Sequence, residues 1–115
     1  MHELSLADEI VRMVEAAAAR AHFKRVATLR LEAGALAGVE VPALRFALDA
    51  IVPGTCLEGA QIHIDQPLGR AWCARCGAEV TITSRADPCP RCDGYPVQVT
   101  GGSELRVRDL VVLND

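Results

Sequence analysis

The chain has 115 residues, half of them apolar, and a formal net charge of −3 at pH 7. This length allows one compact core, or one small core together with a metal-stabilised module. The acidic balance argues against broad, sequence-independent nucleic-acid binding, which needs a positive surface to displace counterions. Charged residues interrupt the first twenty positions and no apolar run approaches the ~20 residues that span a bilayer, so we expect neither a signal peptide nor a membrane segment. The sequence therefore predicts a cytoplasmic protein with reduced thiols.

The first predicted element is a helix from residue 5 or 6 to Ala21. Ser5 followed by Asp8 is typical of a capped helix start, and His22 follows the predicted end. Apolar residues recur at spacings of three and four, which indicates a buried stripe made of Leu6, Ile10, Met13, Val14, Ala17 and Ala21.

Alternating apolar and polar residues then predict half-buried strands at Val26–Ala33 and Gln61–Asp65. Between them, Pro42 favours the start of a second helix, whose inner stripe is Leu44, Leu48 and Ile51, and Pro53-Gly54 must end it. A last strand is predicted at Glu104–Leu113, with a slip of its alternation near Arg108-Asp109 that suggests a bulge.

Two Cys-x-x-Cys pairs predict one closed zinc site with four thiolate ligands, namely Cys73, Cys76, Cys89 and Cys92. Gly77 gives conformational freedom after the first pair, and Pro90 stiffens the second. Redox-active pairs or two disulfides are the competing interpretations. Neither fits well, because a thioredoxin-type motif opens a helix in a βαβ setting that is absent here. Four thiolates leave no open position, so the predicted zinc is structural.

We therefore predict an α+β fold: a small sheet of about three strands with two helices on one face, carrying an inserted four-cysteine zinc-ribbon module. The predicted module occupies residues 68–100, with short strands at Val80–Thr83 and Val97–Val99. The other predicted domain is residues 1–67 plus 101–115, because the last strand is too apolar to stand alone and should return to the first sheet.

The N-terminus carries the other metal-binding pattern. His2 is too bulky for removal of the initiator methionine, so the Met1 amine, the backbone amide of His2 and its imidazole can form fused chelate rings. The amide or carboxylate of Glu3 could complete the donor set. Cu(II) and Ni(II) favour this nitrogen-rich tetragonal arrangement. From these residues alone, a frayed terminal residue is the more ordinary interpretation of His2.

Segments throughout the chain resemble the HypA/HybF family of hydrogenase maturation factors. These segments are the start Met-His-Glu-Leu-Ser-Leu, Phe23-Lys-Arg-Val, residues 31–40, Ala43-Leu-Arg-Phe-Ala, Ala71-Trp-Cys-Ala-Arg-Cys, Pro88-Cys-Pro-Arg-Cys and Gly101-Gly-Ser-Glu-Leu-Arg-Val. The combination of the Met-His-Glu start with the four-cysteine module is specific to this family.

The resemblance implies a nickel metallochaperone with no catalytic residues. Its Ni(II) cargo would bind at His2, next to Glu3, and pass to the large subunit of [NiFe]-hydrogenase together with a HypB-type GTPase. A homodimer is possible. The family often places a carboxylate at the position of Glu40, whose alternative role is favourable electrostatics at the start of the second helix.

Two other functions remain as alternatives. A nucleic-acid-binding zinc ribbon would rest on Arg70, Arg75, Arg85 and Arg91, which more readily offset the thiolate charge or meet an acidic protein surface. A metal-dependent hydrolase would need further ligands and a nucleophile with a partnered base. Two further residues have ordinary interpretations: Cys56 as a small buried residue rather than a reactive thiol, and His63 as a solvated side chain.

Overall fold

A computed structural model describes residues 2–95 and 97–113 of the chain. Its elements in chain order are α1 (His2–Ala21), β1 (Arg25–Ala33), α2 (Val41–Ile51), β2 (Gln61–Asp65), β3 (Gly69–Cys73), β4 (Ala78–Ile82), β5 (Val97–Gly101) and β6 (Leu105–Leu113). The strands form two three-stranded sheets, with the orders β2-β1-β6 and β4-β3-β5. The predicted α+β class is confirmed. No helix in the described part of the chain is both long and apolar enough to cross a membrane.

Contacts between residues divide the chain into two compact units. The first comprises the segment up to Leu31, Glu40–Ile64, and the chain from Val107 onward. The second comprises Glu32–Val39 and Asp65–Arg106. The second unit thus contains the four cysteines of the motif and also a short segment that precedes α2 in the sequence.

The start of α1 differs from the sequence prediction. The helix already includes His2, so Ser5 lies inside the helix and is not its cap. No glycine or proline interrupts the first residues, and Glu3 lies in the first turn, where a negative charge is favourable. The end at Ala21 is as predicted, and His22 follows it with a φ of 60°, the left-handed conformation common just after a helix.

The buried face of α1 also differs in part from the predicted stripe. Ile10 and Val14 are buried as predicted, whereas Met13 and Ala21 are exposed. The buried residues are Ala7, Ile10, Val11, Val14 and Ala18. These positions keep the three-and-four spacing, so the periodicity was correct and the stripe is rotated by about one residue.

The remaining predicted elements of the first unit are present. In β1, Leu29 and Leu31 are fully buried, and in β2 the half-buried Ile62 and Ile64 alternate with exposed neighbours. Strand β6 pairs with β1, as expected for the last strand. Its alternation slips at two consecutive exposed residues, Arg108 and Asp109, where the sequence pattern indicated it.

Helix α2 begins directly after Glu40 and carries Pro42 in its first turn, where the missing N–H of proline costs nothing. Leu44 and Leu48 are fully buried and anchor the helix in the core of the first unit. The helix ends at Ile51, before Pro53-Gly54, as predicted. Glu40, the N-cap residue directly before this helix, is one of the predicted metal-site residues.

The second sheet contains a strand that was not predicted. The central strand, β3, pairs antiparallel with β4 and β5 and buries Gly69, Ala71 and Cys73 on one face. Its other face exposes Arg70 and Trp72. Cys73 is therefore both the last residue of a sheet strand and the first cysteine of the metal motif.

A leucine from outside the cysteine segment completes this core. The side chain of Leu36 packs among the buried residues Ala71, Cys73, Val80, Ile82 and Cys89. Two backbone hydrogen bonds hold the segment in place, from Ala35 N–H to the carbonyl of Pro67 and from Leu36 N–H to the carbonyl of Gly102, both shorter than 3 Å.

Candidate metal centres

The four motif cysteines meet in one cluster. One sulfur atom from each of them lies within 4.8 Å of all the others. The Sγ atoms of Cys73 and Cys92 are 3.7 Å apart, and those of Cys76 and Cys89 are 3.9 Å apart. A tetrahedral ion with metal–sulfur bonds of about 2.3 Å requires sulfur–sulfur distances of ~3.8 Å. The sulfur positions therefore fit one four-coordinate ion, and the closed site leaves no place for a substrate.

The two Cys-x-x-Cys pairs have the same local backbone structure. Gly77 N–H donates to the carbonyl of Cys73, and Asp93 N–H donates to the carbonyl of Cys89, each at 2.8 Å. The residues after the second cysteine of each pair have positive φ, 63° at Gly77 and 56° at Asp93. The role expected for Gly77 is thus present, while Asp93 adopts the same conformation without the freedom of glycine.

Backbone N–H groups point at the first sulfur of each pair. Cys76 N–H lies 3.5 Å from Cys73 Sγ, and Arg91 N–H lies 3.4 Å from Cys89 Sγ. Burial raises the pKa of the Cys89 thiol, but hydrogen bonds from the N–H groups of Arg91 and Cys92, together with those to the side chains of Cys73 and Cys92, lower that pKa to about 7. A hydrogen bond with Cys92, together with partial burial, raises the pKa of Cys76 to about 12. Four thiolate charges held at these distances would repel one another, and a bound cation is the group that would balance them.

An aspartate that the sequence analysis missed shapes the turn before the second pair. Asp87 Oδ2 accepts hydrogen bonds from Thr83 N–H at 2.9 Å, Thr83 Oγ1 at 2.8 Å and Ser84 N–H at 3.2 Å. These bonds, of which the one from Thr83 N–H is the largest influence, lower the pKa of Asp87. The Thr-Ser-x-x-Asp spacing was the available signal, because a carboxylate three or four residues away can cap a turn.

The predicted N-terminal site brings three of its residues together in the first unit. Glu3 Oε2 accepts a hydrogen bond from Glu40 N–H at 3.2 Å and lies 3.5 Å from His2 Nδ1. The side chain of His2 is 63% exposed and that of Glu3 only 20%. The hydrogen bond from Glu40 N–H is the main reason that the pKa of Glu3 lies below its ordinary value. Met1, whose amine is a predicted donor, lies outside the described residues.

Glu40 enters this arrangement through its backbone. It occupies the N-cap position of α2, its side chain is exposed, and that side chain makes no capping hydrogen bond. The Glu3 carboxylate is the group at the N-terminus of α2, where the helix dipole favours a negative charge. The sequence predicted both carboxylates as possible metal ligands, but it did not reveal that the Glu3 carboxylate accepts a hydrogen bond from the Glu40 backbone.

Cys56 and His63, the two residues with ordinary interpretations, are not members of either cluster. Cys56 is buried, and its N–H donates to Glu15 Oε1 at 3.1 Å. Burial, followed by the negative charge of Glu15, raises the pKa of the Cys56 thiol, which disfavours the reactive thiolate. His63 is exposed on β2.

Comparison with known proteins identifies relatives over the whole chain. A family model described as "Hydrogenase/urease nickel incorporation, metallochaperone, hypA" matches residues 1–112. A hydrogenase maturation factor HypA of Cupriavidus necator is 59% identical over 112 residues, which are 97% of this chain and 94% of that protein. The HypA of Polaromonas naphthalenivorans is 51% identical over the full length of both chains.

A solved structure has the same fold. The solution structure of the Ni metallochaperone HypA from Helicobacter pylori matches with a TM-score of 0.69 and covers 98% of both chains. Its sequence identity of 16% means that this likeness supports the fold alone.

The α+β fold and the closed four-cysteine site define a small metal-binding protein whose cysteine cluster offers no position for catalysis. With the family model and the relatives, the class is that of metallochaperones and not of enzymes. The chain belongs to the HypA family of hydrogenase maturation factors that incorporate nickel.

Proposed function

We propose that the chain binds Ni(II) at its N-terminus and delivers it to the large subunit of [NiFe]-hydrogenase, working in the cytoplasm with a HypB-type GTPase. The observation that carries this proposal is the grouping of an exposed His2 with Glu3 and the start of α2. The family, described by nickel incorporation, supports the cargo, and the relatives, which are hydrogenase maturation factors, support the recipient.

The start of α1 provides nitrogen donors for this site. The first N–H groups of a helix have no acceptor within the helix, so the amides of His2 and Glu3 are available as ligands. Together with the Met1 amine and the His2 imidazole they form the predicted tetragonal set, which suits Ni(II). The proposed chelate uses His2 Nδ1, the atom that faces Glu3, because this nitrogen closes a six-membered ring with its own amide.

Glu3 has a positioning role in this proposal. Its carboxylate accepts the Glu40 N–H and attracts His2 Nδ1, so it holds the imidazole near the start of both helices before the ion binds. Nickel then replaces Glu3 as the partner of Nδ1. The exposed Glu40 carboxylate remains available as an additional, transient ligand during transfer.

The four-cysteine site holds zinc and has a structural role in this proposal. Zinc prefers four thiolates in a tetrahedron, and the sulfur–sulfur distances of 3.7 and 3.9 Å fit that geometry. The cysteines Cys73, Cys76, Cys89 and Cys92 would bind the ion, which supplies cohesion to a unit with a small core.

The test is nickel titration of the untagged protein and of His2→Gln, with metal analysis of both; Gln removes the imidazole but, like His, is too bulky for removal of Met1. We expect His2→Gln to abolish nickel binding and to leave the zinc content unchanged, because the exposed His2 contributes no core packing. His63→Gln is the matched control, since it removes an exposed histidine from β2. An unchanged nickel isotherm in His2→Gln would contradict the proposed site.

A further inference from the structure

Backbone N–H groups balance only part of the negative charge of the four-cysteine centre. A divalent ion bound by four thiolates has a net charge of −2, and this inference rests on the proposed zinc. The backbone N–H groups that act on sulfur in the described residues are those of Cys76, Arg91 and Cys92, and they serve Cys73 and Cys89. Cys73 and Cys89 are also the buried members of the cluster, whereas Cys76 and Cys92 are partly exposed.

Arg75 reaches from the first cysteine pair to the second. Its side chain lies against Gly94, two residues after Cys92. A Cβ atom added to Gly94 would be 3.5 Å from Arg75 Cδ, 3.7 Å from Arg75 Nη1 and 3.1 Å from Cys92 Sγ. The guanidinium and the sulfur of Cys92 therefore approach the same point, and the absent side chain of Gly94 leaves room for both.

Within the described part of the chain, Arg75 has no carboxylate partner to compete for its charge. Among residues 2–95 and 97–113, the ion pairs of arginine are those of Arg12, Arg30, Arg70 and Arg106, and Arg108 has a further interaction. The side chain of Arg75 is exposed, so its placement over Gly94 is not forced by burial. A free guanidinium beside a metal-binding thiolate is favourably placed to offset negative charge.

We propose that Arg75 is a positioning residue of the metal centre: its guanidinium offsets the negative charge at Cys92, slows zinc release and protects this sulfur from electrophiles. Cys92 is the appropriate target because it is partly exposed and its sulfur and the Arg75 guanidinium lie 3.1 and 3.7 Å from the same point, the position of a Cβ atom on Gly94. The positive charge lowers the electron density that the bound sulfur can offer to an electrophile, as it does for other thiolates.

The experiment compares the zinc-loaded full chain with Arg75→Gln, Arg75→Lys and Arg85→Gln. Arg85→Gln is the matched control, because it removes one exposed arginine of the same unit with the same change in net charge. Zinc release to an excess of a chromogenic chelator gives one rate. Alkylation by iodoacetamide, followed by mass mapping of the modified cysteine, gives a second rate that is specific to each sulfur.

For Arg75→Gln we expect zinc release and alkylation of Cys92 to be about three- to tenfold faster at low salt, the size of one screened charge interaction near the surface. The difference should shrink at high salt. Arg75→Lys should restore most of the wild-type rates, since it keeps the charge, and Arg85→Gln should match wild type.

Each contrary result has a distinct meaning. Equal rates for wild type and Arg75→Gln, equal acceleration in Arg85→Gln, or failure of Arg75→Lys to restore the rates would each overturn the role of Arg75. A purified wild-type chain that retains no zinc would instead overturn the proposed metal, on which this role depends.

Discussion

At the scale of single residues, Glu3 shows how a predicted ligand can have another task. Its carboxylate accepts the backbone N–H of Glu40, which precedes α2, and lies beside the imidazole of His2. One side chain thus connects the first turn of α1 to the first turn of α2. A residue that holds two helix starts together can orient the proposed nickel ligand without binding the metal.

Glu3→Gln tests this connection. A neutral amide accepts a weaker hydrogen bond than a carboxylate, so amide exchange at Glu40 should become about two- to fivefold faster. The pKa of Glu3 is lowered from 4.5 in the folded protein, so its stabilising contribution is present above pH 4.5 and is lost as the pH falls through the lower, folded-state pKa.

Exchange at Glu40, measured by NMR and corrected for the intrinsic rate, should therefore rise at acidic pH in the wild type and lose this pH dependence in Glu3→Gln. Glu9→Gln, an exposed change on the same helix, is the control. If the two variants behave alike, the Glu3–Glu40 hydrogen bond does not matter in solution.

At the scale of elements, the segment Glu32–Val39 belongs to the cysteine-containing unit although it precedes α2 in the sequence. Glycines make this packing possible. A Cβ atom on Gly34 would lie 2.1 Å from the carbonyl oxygen of Gly102, and one on Gly69 would lie 2.7 Å from Leu36 Cδ1. Such distances are far below contact, so larger residues at these positions would displace the segment.

Leu36→Ala tests the contribution of this segment. Leu36 is only 8% exposed and packs in a small core, so we expect the free energy of unfolding of the second unit to fall by about 2–4 kcal/mol. Amide exchange in β3 and β4 is the measurement. Leu68→Ala makes the same chemical change at a side chain that is 59% exposed, and it should have little effect. Equal effects would mean that Leu36 is not a core residue.

At the scale of the whole molecule, the two units differ in the buried residues that stabilise them. The first has buried residues from two helices and the strands packed with them, including Leu29, Leu44 and Leu48. Among the described residues, the buried core cluster of the second has six members, of which two are the metal-site cysteines Cys73 and Cys89. A core of this size is too small to stabilise an independent unit, so the metal is expected to contribute most of the folding energy there.

Cys76→Ala should therefore release the metal and abolish amide protection in β3, β4 and β5, while α1 and α2 remain protected. Hydrogen exchange, read by NMR or mass spectrometry, distinguishes the two units within one sample. Cys56→Ala is the control, because it removes a buried cysteine of the first unit that is not part of the cluster. Unchanged protection in β3–β5 after metal loss would show that the metal is not structural.

Nickel affinity should depend steeply on pH. The proposed donors are an amine, an imidazole and backbone amides, and each must be free of its proton to bind the ion. Nickel titrations between pH 5.5 and 8 should therefore show affinity falling as the pH is lowered, with protons released on binding. An affinity that is constant over this range would contradict the nitrogen donor set.

Local patterns in the sequence determined much of this protein. The spacing of four cysteines predicted a cluster that the structure contains, because each Cys-x-x-Cys turn is formed by neighbouring residues and closed by its own hydrogen bonds. The periodicity of α2, β1, β2 and β6 predicted these elements nearly to the residue, because an element that buries one face has apolar residues at regular spacings. The combination of the Met-His-Glu start and the cysteine module indicated the family that the comparisons identify.

Only the tertiary structure decided the remaining features, because they depend on residues distant in the sequence. Strand β3 was missed since its five residues end in a metal-site cysteine and gain their partners from β4 and β5. Leu36 is buried by residues that follow it by more than thirty positions in the sequence, so no local pattern predicts its burial. Glu3 was recognised as an acid near His2, but its acceptor role required the backbone of Glu40, which the fold brings to it across 37 residues.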